Sequence, residues 1–133
     1  ADGRRVAVAW FTGAGGEQSV KAAFSGDAGA NFDAPIRVDD GNAIGRVDIV
    51  LLADGSALVC WMSGGEQGGA NKVRRISPGG VPGPVAIIAE SDVSRSSGFP
   101  RMARLGNTVH FAWTQFGKPS RIRTASVDVS AFR

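Results

Sequence analysis

Three tryptophans divide the chain into near-equal repeats, and this periodicity constrains the fold more than any other feature. Trp10, Trp61 and Trp113 recur at intervals of 51 and 52 residues. Each tryptophan ends an apolar run, and these runs are 6–10, 57–61 and 109–113. The first two runs are followed by the same tetrapeptide, Gly-Gly-Glu-Gln, at 15–18 and 64–67. A period of about 50 residues is typical of repeat proteins in which each repeat is one supersecondary unit.

The middle repeat predicts four short strands. These strands, named a to d in chain order, cover 46–52, 57–62, 72–77 and 85–89. Ala53-Asp54-Gly55 is a turn signal between strands a and b, and the other Gly- and Pro-rich stretches are also typical of turns. No segment has a sustained apolar period of about 3.6 residues, so the sequence predicts an all-β fold. Four strands in each period of ~50 residues are typical of one blade of a β-propeller.

The repeat boundaries predict about two and a half such blades. We place the repeats approximately at 1–44, 45–97 and 98–133, in a single partial domain of residues 1–133. Ala1-Asp2-Gly3 matches the turn that precedes strand b in the middle repeat, so the first repeat lacks strand a. The third repeat stops after strand c, and the strand order is therefore bcd–abcd–abc. Because a propeller closes with at least about four blades, either the chain is a fragment of a larger propeller or homo-oligomer partners complete the ring.

The most specific local motif is Ser25-Gly26-Asp27-Ala28-Gly29-Ala30-Asn31-Phe32. It resembles the Asp box, Ser-x-Asp-x-Gly-x-x-Phe/Trp, of the sialidase-like propellers, and it directly follows strand c. A degenerate copy stands at 126–132 in the third repeat, whereas the second repeat has none. These residue types suit a tight turn, because Asp27 can cap backbone N–H groups and Gly29 can adopt backbone angles that other residues avoid. We expect Phe32 to fill the space beneath the turn.

The resemblance implies a sialidase-like propeller, six-bladed when complete, in which Ser25, Asp27, Gly29 and Phe32 have a structural role. In that family the ligand binds at the opposite face, on the loops between strands b and c and between strands d and a. Those loops are 11–18, 62–71, 114–119, 39–46 and 90–101. By the same family analogy, an exported or cell-envelope location is expected.

Five charged residues are the candidates for a ligand site. Arg46, Asp48 and Arg101 stand at the start of strands a, while Glu17 and Glu66 recur at the same place in two b–c loops. On one interpretation they converge at the ligand face and bind a polar ligand such as a carbohydrate. On the alternative interpretation, Arg46 and Asp48 neutralise one another and the glutamates are solvated loop residues.

The composition argues against sialidase chemistry. Sialidases use an arginine triad, a tyrosine nucleophile paired with a glutamate, and an aspartate acid/base, yet this chain has no tyrosine. We therefore expect a non-catalytic segment that provides a binding or scaffolding surface. The alternatives are part of a glycosidase-class enzyme whose catalytic residues lie mostly outside this chain, and a self-assembling partial propeller. With one cysteine and one histidine, the sequence predicts no metal site of standard spacing and no cofactor.

Charge and hydropathy exclude further classes of partner. Fifteen Lys and Arg against twelve Asp and Glu give a net charge of +3, spread along the chain. A nucleic-acid interface concentrates its cations in one stripe, so we expect no nucleic-acid partner. No run of about 18 apolar residues is present, and no membrane-spanning helix is expected. There is no charged-then-apolar leader at the start of the sequence.

Overall fold

The computed structural model describes residues 1–66, 68–91 and 98–133, without the side chains of residues 98 and 99. Residues 67 and 92–97, which fall within the predicted loops 62–71 and 90–101, lie outside the described residues. The strands are β1 (Val6–Thr12), β2 (Ser19–Ser25), β3 (Ile36–Arg37), β4 (Ala43–Leu51), β5 (Ala57–Ser63), β6 (Gly69–Ile76), β7 (Pro82–Ser91), β8 (Gly98–Leu105), β9 (Thr108–Gln115) and β10 (Arg121–Asp128). Two 3₁₀ turns, Ala14–Gly16 and Val129–Ala131, complete the described secondary structure, which contains no α-helix.

The strands form three antiparallel sheets. The first sheet has the order β1-β2-β3, the second β4-β5-β6-β7 and the third β8-β9-β10. The predicted all-β fold is confirmed, and the sheets contain three, four and three strands, as the repeats predict. The strands of the second sheet extend beyond the predicted bounds at the end that carries Ala43, Ser63, Gly69 and Ser91, and β7 also begins earlier than predicted, at Pro82. Within the described ranges, no sheet closes on itself.

Strand β5 is buried on both faces, and its alternating side chains divide the core in two. Ala57, Val59 and Trp61 pack with the first sheet, in a cluster that includes Val20 and Phe24. Leu58 and Cys60 point the other way and pack with Val109 and Phe111 of the third sheet. Because successive side chains of a strand point to opposite faces, a sheet between two others requires strands with apolar side chains on both faces. The second sheet is therefore the middle layer of three.

The two contacts between layers are named here the first seam, between the first and second sheets, and the second seam, between the second and third. Strand β4 contacts β1 at the first seam and β8 at the second. Four arginines donate from Nη1 to backbone carbonyls across these seams: Arg5 to Ala53 (3.2 Å), Arg74 to Val38 (2.7 Å), Arg75 to Phe132 (2.9 Å) and Arg104 to Leu51 (3.0 Å). The guanidinium groups thereby satisfy carbonyls at the margins of the apolar clusters.

The position of each sheet in the stack decides how deeply its tryptophan is buried. Trp61 of the middle sheet is fully buried, whereas Trp10 and Trp113 of the outer sheets are half-buried. Cys60 is also fully buried, and desolvation raises the pKa of its thiol to about 12, which makes it unreactive. His110, which its alignment with Ala7 and Leu58 predicts to be a core or blade-interface residue, lies exposed on the outer face of the third sheet. Its Nδ1 is 2.8 Å from the Ser126 hydroxyl.

A leucine-to-alanine substitution in β5, compared with the same change at an exposed position, tests whether β5 is buried on both faces. Leu58→Ala removes a side chain that is 0% exposed in the second seam, and we expect a loss of about 2–5 kcal/mol in the free energy of unfolding. Leu105→Ala is the matched control, because Leu105 is 76% exposed and should change stability by less than about 0.5 kcal/mol. Urea denaturation measures both, and equal losses would contradict the layered arrangement.

Candidate functional site

The loops and turns gather at two ends of the stacked sheets. One end, called here the turn end, carries the turns between strands a and b and between c and d, including the segment 25–32. The other, called here the loop end, carries the connections after β1, β3, β5 and β9. All five candidate ligand residues lie in loop-end connections or in the adjoining strands β4 and β8.

Asp27 is fully engaged in the turn that follows β2. Its Oδ1 accepts hydrogen bonds from the Asn31 N–H (2.8 Å) and the Ser25 hydroxyl (2.8 Å), and its Oδ2 accepts from Asn31 Nδ2 (2.8 Å). The Ser25 Oγ in turn accepts from the Gly29 N–H at 2.9 Å. These hydrogen bonds, with that of the Asn31 side chain the largest, lower the pKa of Asp27 to about 2. This is a turn-stabilising carboxylate rather than one free for a ligand.

The backbone of the same turn requires a glycine. Gly29 has a φ of +88°, in the left-handed region that glycine enters without steric cost. A Cβ built on it would lie 3.9 Å from the Phe32 ring, so the ring is placed against the turn. Phe32 nevertheless remains 44% exposed and covers the turn only in part.

The degenerate copy in the third repeat folds in a similar way. Asp128 Oδ1 accepts hydrogen bonds from the Ser130 N–H (2.9 Å) and hydroxyl (2.6 Å), and these lower the pKa of its carboxyl group. The residue after each of these two aspartates is anchored to the turn before strand b: Ala28 N donates to Arg4 O (2.7 Å) and Val129 N to Asn107 O (2.8 Å). The second repeat uses the hydroxyl of Ser77, which accepts from Val81 N at 3.0 Å, with no carboxylate in that role.

Asp48 and Arg101 are brought together at the second seam. Asp48 Oδ2 accepts from the Met102 N–H at 2.8 Å, and its Oδ1 is 3.9 Å from Arg101 Nη1. The Arg101 side chain is 69% exposed, so its guanidinium keeps most of its hydrogen-bonding capacity open to solvent. Arg46 lies in β4 where the pairing with β5 is irregular, and its φ of +61° is part of that irregularity. The convergence of these residues on a ligand stays a prediction.

Glu17 belongs to a separate cluster within the first sheet. Its Oε1 accepts from Arg37 Nη2 at 2.8 Å, and the same nitrogen is 3.0 Å from Asp39 Oδ1. The Asp39 carboxylate is buried and also accepts from the N–H groups of Val20 (2.8 Å) and Gly41 (3.0 Å). Burial acts to raise the pKa of Asp39, but the hydrogen bonds from Arg37 and the two backbone groups outweigh it and lower the pKa.

Glu66 lines a groove at the loop end of the second seam. The groove has a volume of about 980 Å³ and is lined by Ser63, Gly65, Glu66, Gly68, Gly69, Ala70, Ile87, Glu90, Ser91, Trp113, Thr114, Gln115 and Phe116. Glu90, Gln115 and Phe116 are site residues that the sequence alone did not single out. Strand pairing is the signal that finds Glu90, because it opposes Ala70 across the β6–β7 ladder.

The described residues hold no group of three His, Cys, Asp or Glu side chains placed to bind a metal ion. Nor do they include a helix whose length and apolarity would let it cross a membrane. The chain matches no protein-family model, and a comparison with curated protein sequences gives no match.

The ionised Asp27 turn should be visible in the pH dependence of stability. Because its folded pKa of about 2 lies below the ordinary 3.8, the ionised carboxylate stabilises the fold above pH 3.8, and that contribution is lost as the pH falls towards 2. Asp27→Asn should be less stable than the unmodified protein at pH 7, with the difference shrinking below pH 3.8.

Chemical denaturation at a series of pH values measures this difference. Asp33→Asn, which alters an exposed carboxylate after the same turn, should leave the free energy of unfolding at pH 7 nearly unchanged. If the unmodified protein and Asp27→Asn had the same free energy of unfolding at neutral pH, the carboxylate would not be what stabilises the turn.

Proposed function

We propose that this chain is part of an Asp-box β-propeller and provides a non-catalytic binding surface, with carbohydrate as the candidate ligand. The observation that carries the proposal is the repetition of one anchored turn. Asp27 lies two residues after β2 and Asp128 is the last residue of β10. Each caps nearby N–H groups, and the next residue in each case bonds to the turn before strand b. Such agreement between distant segments supports repeats of one structural unit.

The direction of stacking also supports a propeller. Ala7 and Ala9 of β1 face the second sheet, and their equivalents in the middle repeat, Leu58 and Cys60, face the third. Each sheet therefore presents the same face to the sheet that follows it in the chain. Further sheets added in the same sense would produce the radial arrangement of propeller blades.

A binding role fits the chemistry of the site better than catalysis. The chain lacks the tyrosine that the sialidase mechanism needs, and the thiol of Cys60 is buried and protonated. Arg101, by contrast, presents an exposed guanidinium next to the Asp48 carboxylate. Adjacent donors and acceptors of this kind can hydrogen-bond the hydroxyl groups or carboxylate of a sugar.

Arg101→Ala tests the proposed ligand surface. Since the side chain is 69% exposed, its removal should leave the fold intact and reduce binding to any glycan that the unmodified protein recognises by at least about tenfold. Arg121→Ala, at an exposed position of β10, is the matched control and should bind as the unmodified protein does. A glycan array measures all three proteins, and an array without any bound glycan would contradict the carbohydrate proposal.

Exposed apolar side chains on the outer faces favour one further candidate, self-assembly through those faces. Val8 on the outer face of the first sheet is 36% exposed, and Ile122 on that of the third is 69% exposed. The neighbours of Val8 and Ile122 along each strand point into the seams, so Val8 and Ile122 themselves point outwards. A further sheet packed on either outer face would bury these side chains, as the two seams bury the side chains at the equivalent positions of the other repeats.

Light scattering after gel filtration tests self-assembly. If copies of the chain cover one another, the mass should be that of a discrete oligomer, and Ile122→Lys should shift it towards the monomer, because a buried unpaired lysine is unfavourable. Ala34→Lys, at an exposed position outside the three sheets, is the control and should leave the mass unchanged. A monomeric mass at all concentrations would exclude self-assembly and leave the propeller-segment proposal as it stands.

A further inference from the structure

The connection between β9 and β10 forms a small concave surface at the loop end of the third sheet. It has a volume of about 270 Å³, and its lining includes Gln115, Phe116, Lys118, Arg121 and Arg123. Gln115 pairs with Arg121 across the β9–β10 ladder, and Arg123 lies two residues further along β10, so these three side chains share one face of the sheet. Lys118 comes from the turn between the two strands. This surface is called here the basic notch.

One of the three cations belongs to every repeat. Each tryptophan pairs across strands b and c with a basic residue: Trp10 with Lys21, Trp61 with Lys72 and Trp113 with Arg123. Lys72 is neutralised across the first seam, where its Nζ lies 2.8 Å from Asp40 Oδ2. Arg123 instead donates from Nε to Gln115 Oε1 at 2.7 Å. This hydrogen bond orients the guanidinium, whose two Nη groups have no acceptor in the described ranges.

The other two cations distinguish the third repeat from the first two. The position of Arg121 is held by Ser19 in the first repeat and by Ala70 in the second. The strand pairs that establish this are Thr12 with Ser19, Ser63 with Ala70 and Gln115 with Arg121. Lys118 stands at the same distance from the tryptophan of its repeat as Glu66 does. The loop after strand b therefore carries an acid at this position in the second repeat and a base in the third.

The cations of the notch are open to a ligand. Lys118 and Arg121 are exposed, and neither has a hydrogen-bond or ion-pair partner for its side chain in the described ranges. Among the described residues, no Asp or Glu lines the notch. Three like charges around one concave surface repel one another, and their combined positive potential favours an anionic ligand.

We propose that the basic notch binds the phosphate group of a phosphate monoester that carries an aromatic group. The phosphate lies among Lys118, Arg121 and Arg123, and the aromatic group packs on the ring of Phe116, which is 55% exposed. A phosphate monoester has a charge of about −1.5 to −2 at pH 7 and three terminal oxygens, so it can accept hydrogen bonds from all three cations at once. A carboxylate has only two oxygens and a single charge, and it matches three cations less well.

The proposal rests neither on the propeller assignment nor on the ligand surface at Arg101. Arg101 is not among the described residues that line the notch. Arg101→Ala should therefore bind a phosphate monoester as the unmodified protein does, whatever its effect on glycans. The two proposals can in this way fail independently.

NMR titration of the 133-residue protein with phenyl phosphate is the direct test. We expect saturable binding that weakens as salt is added. Methyl phenyl phosphate, a diester that keeps the ring and loses one charge and one terminal oxygen, should bind at least about tenfold more weakly. Equal binding of the two compounds, or no saturation by phenyl phosphate at millimolar concentrations, would overturn the proposal.

Three further ligands test the aromatic group and identify the source of the phosphate. Inorganic phosphate lacks a ring and should bind more weakly than phenyl phosphate, and equal binding would contradict the role of Phe116. Adenosine 5′-monophosphate and blocked phosphotyrosine represent a nucleotide and a phosphorylated protein. Tighter binding of one of them than of phenyl phosphate would assign the notch to that class of ligand.

Variants of the protein identify the site. Lys118→Gln and Arg121→Gln should each weaken binding of phenyl phosphate at least about tenfold, because each removes one charge-assisted donor. Both side chains are exposed, so the fold should tolerate the changes. Arg4→Gln is the matched control, since it removes the same charge from an exposed position at the turn end, and it should bind as the unmodified protein does. Equal weakening by all three variants would show that only net charge matters and would overturn the proposal.

Gln115→Glu provides a test that a merely structural role of the cations would not pass. It keeps an acceptor for Arg123 Nε and adds a carboxylate that neutralises the notch. Binding of phenyl phosphate should be lost, while the variant should unfold at the same denaturant concentration as the unmodified protein or higher, because Arg123 gains an ion pair. Unchanged binding of phenyl phosphate by a folded Gln115→Glu protein would show that the phosphate does not occupy the notch.

Discussion

The two-sided burial of β5 is the constraint on which the rest of the structure depends. Three alternate side chains of this strand complete the core towards the first sheet, and the intervening ones complete it towards the third. A one-residue slip in the pairing of β5 would exchange the two sets, so both seams depend on one register. That register also positions the functional ends, because β4 and β6 take their places from it. Asp48 reaches Met102 across the second seam, and Arg74 reaches Val38 across the first.

Much of this fold could be predicted from the sequence, because period-two apolar runs and glycine-rich turns are local signals. The runs that end at the three tryptophans lie within β1, β5 and β9 and begin at or next to the first residue of each strand. The depth of burial could not be predicted in the same way: Trp10, Trp61 and Trp113 look alike in sequence, and only their position in the stack separates them. His110 shows the same difficulty, since its partners in the alignment pack in seams while His110 lies on an outer face. Burial depends on which sheet covers which, and that information is not local.

Individual residues and turns of the candidate site could be predicted from the sequence, but the contacts between segments distant in the sequence could not. The turn around Asp27 was recognisable because its residues are consecutive, and its hydrogen bonds follow the expected pattern. The pairing of Glu17 with Arg37 joins residues 20 positions apart, and no local sequence signal predicts it. The two loops with the same tetrapeptide differ in their described contacts: Glu17 pairs with Arg37, whereas Glu66 lines the groove at the second seam. Divergence between copies of a repeat is visible only when the strand register is known.

Native-state hydrogen exchange, followed residue by residue by NMR, tests the layered arrangement most directly. If β5 is the centre of the stack, its amides from Ala57 to Ser63 should exchange most slowly and only through global unfolding. The amides of β10, a strand at the exposed edge of the third sheet, should exchange faster by local opening. Exchange in β5 as fast as that in β10 would contradict the claim that the second sheet is held between the other two.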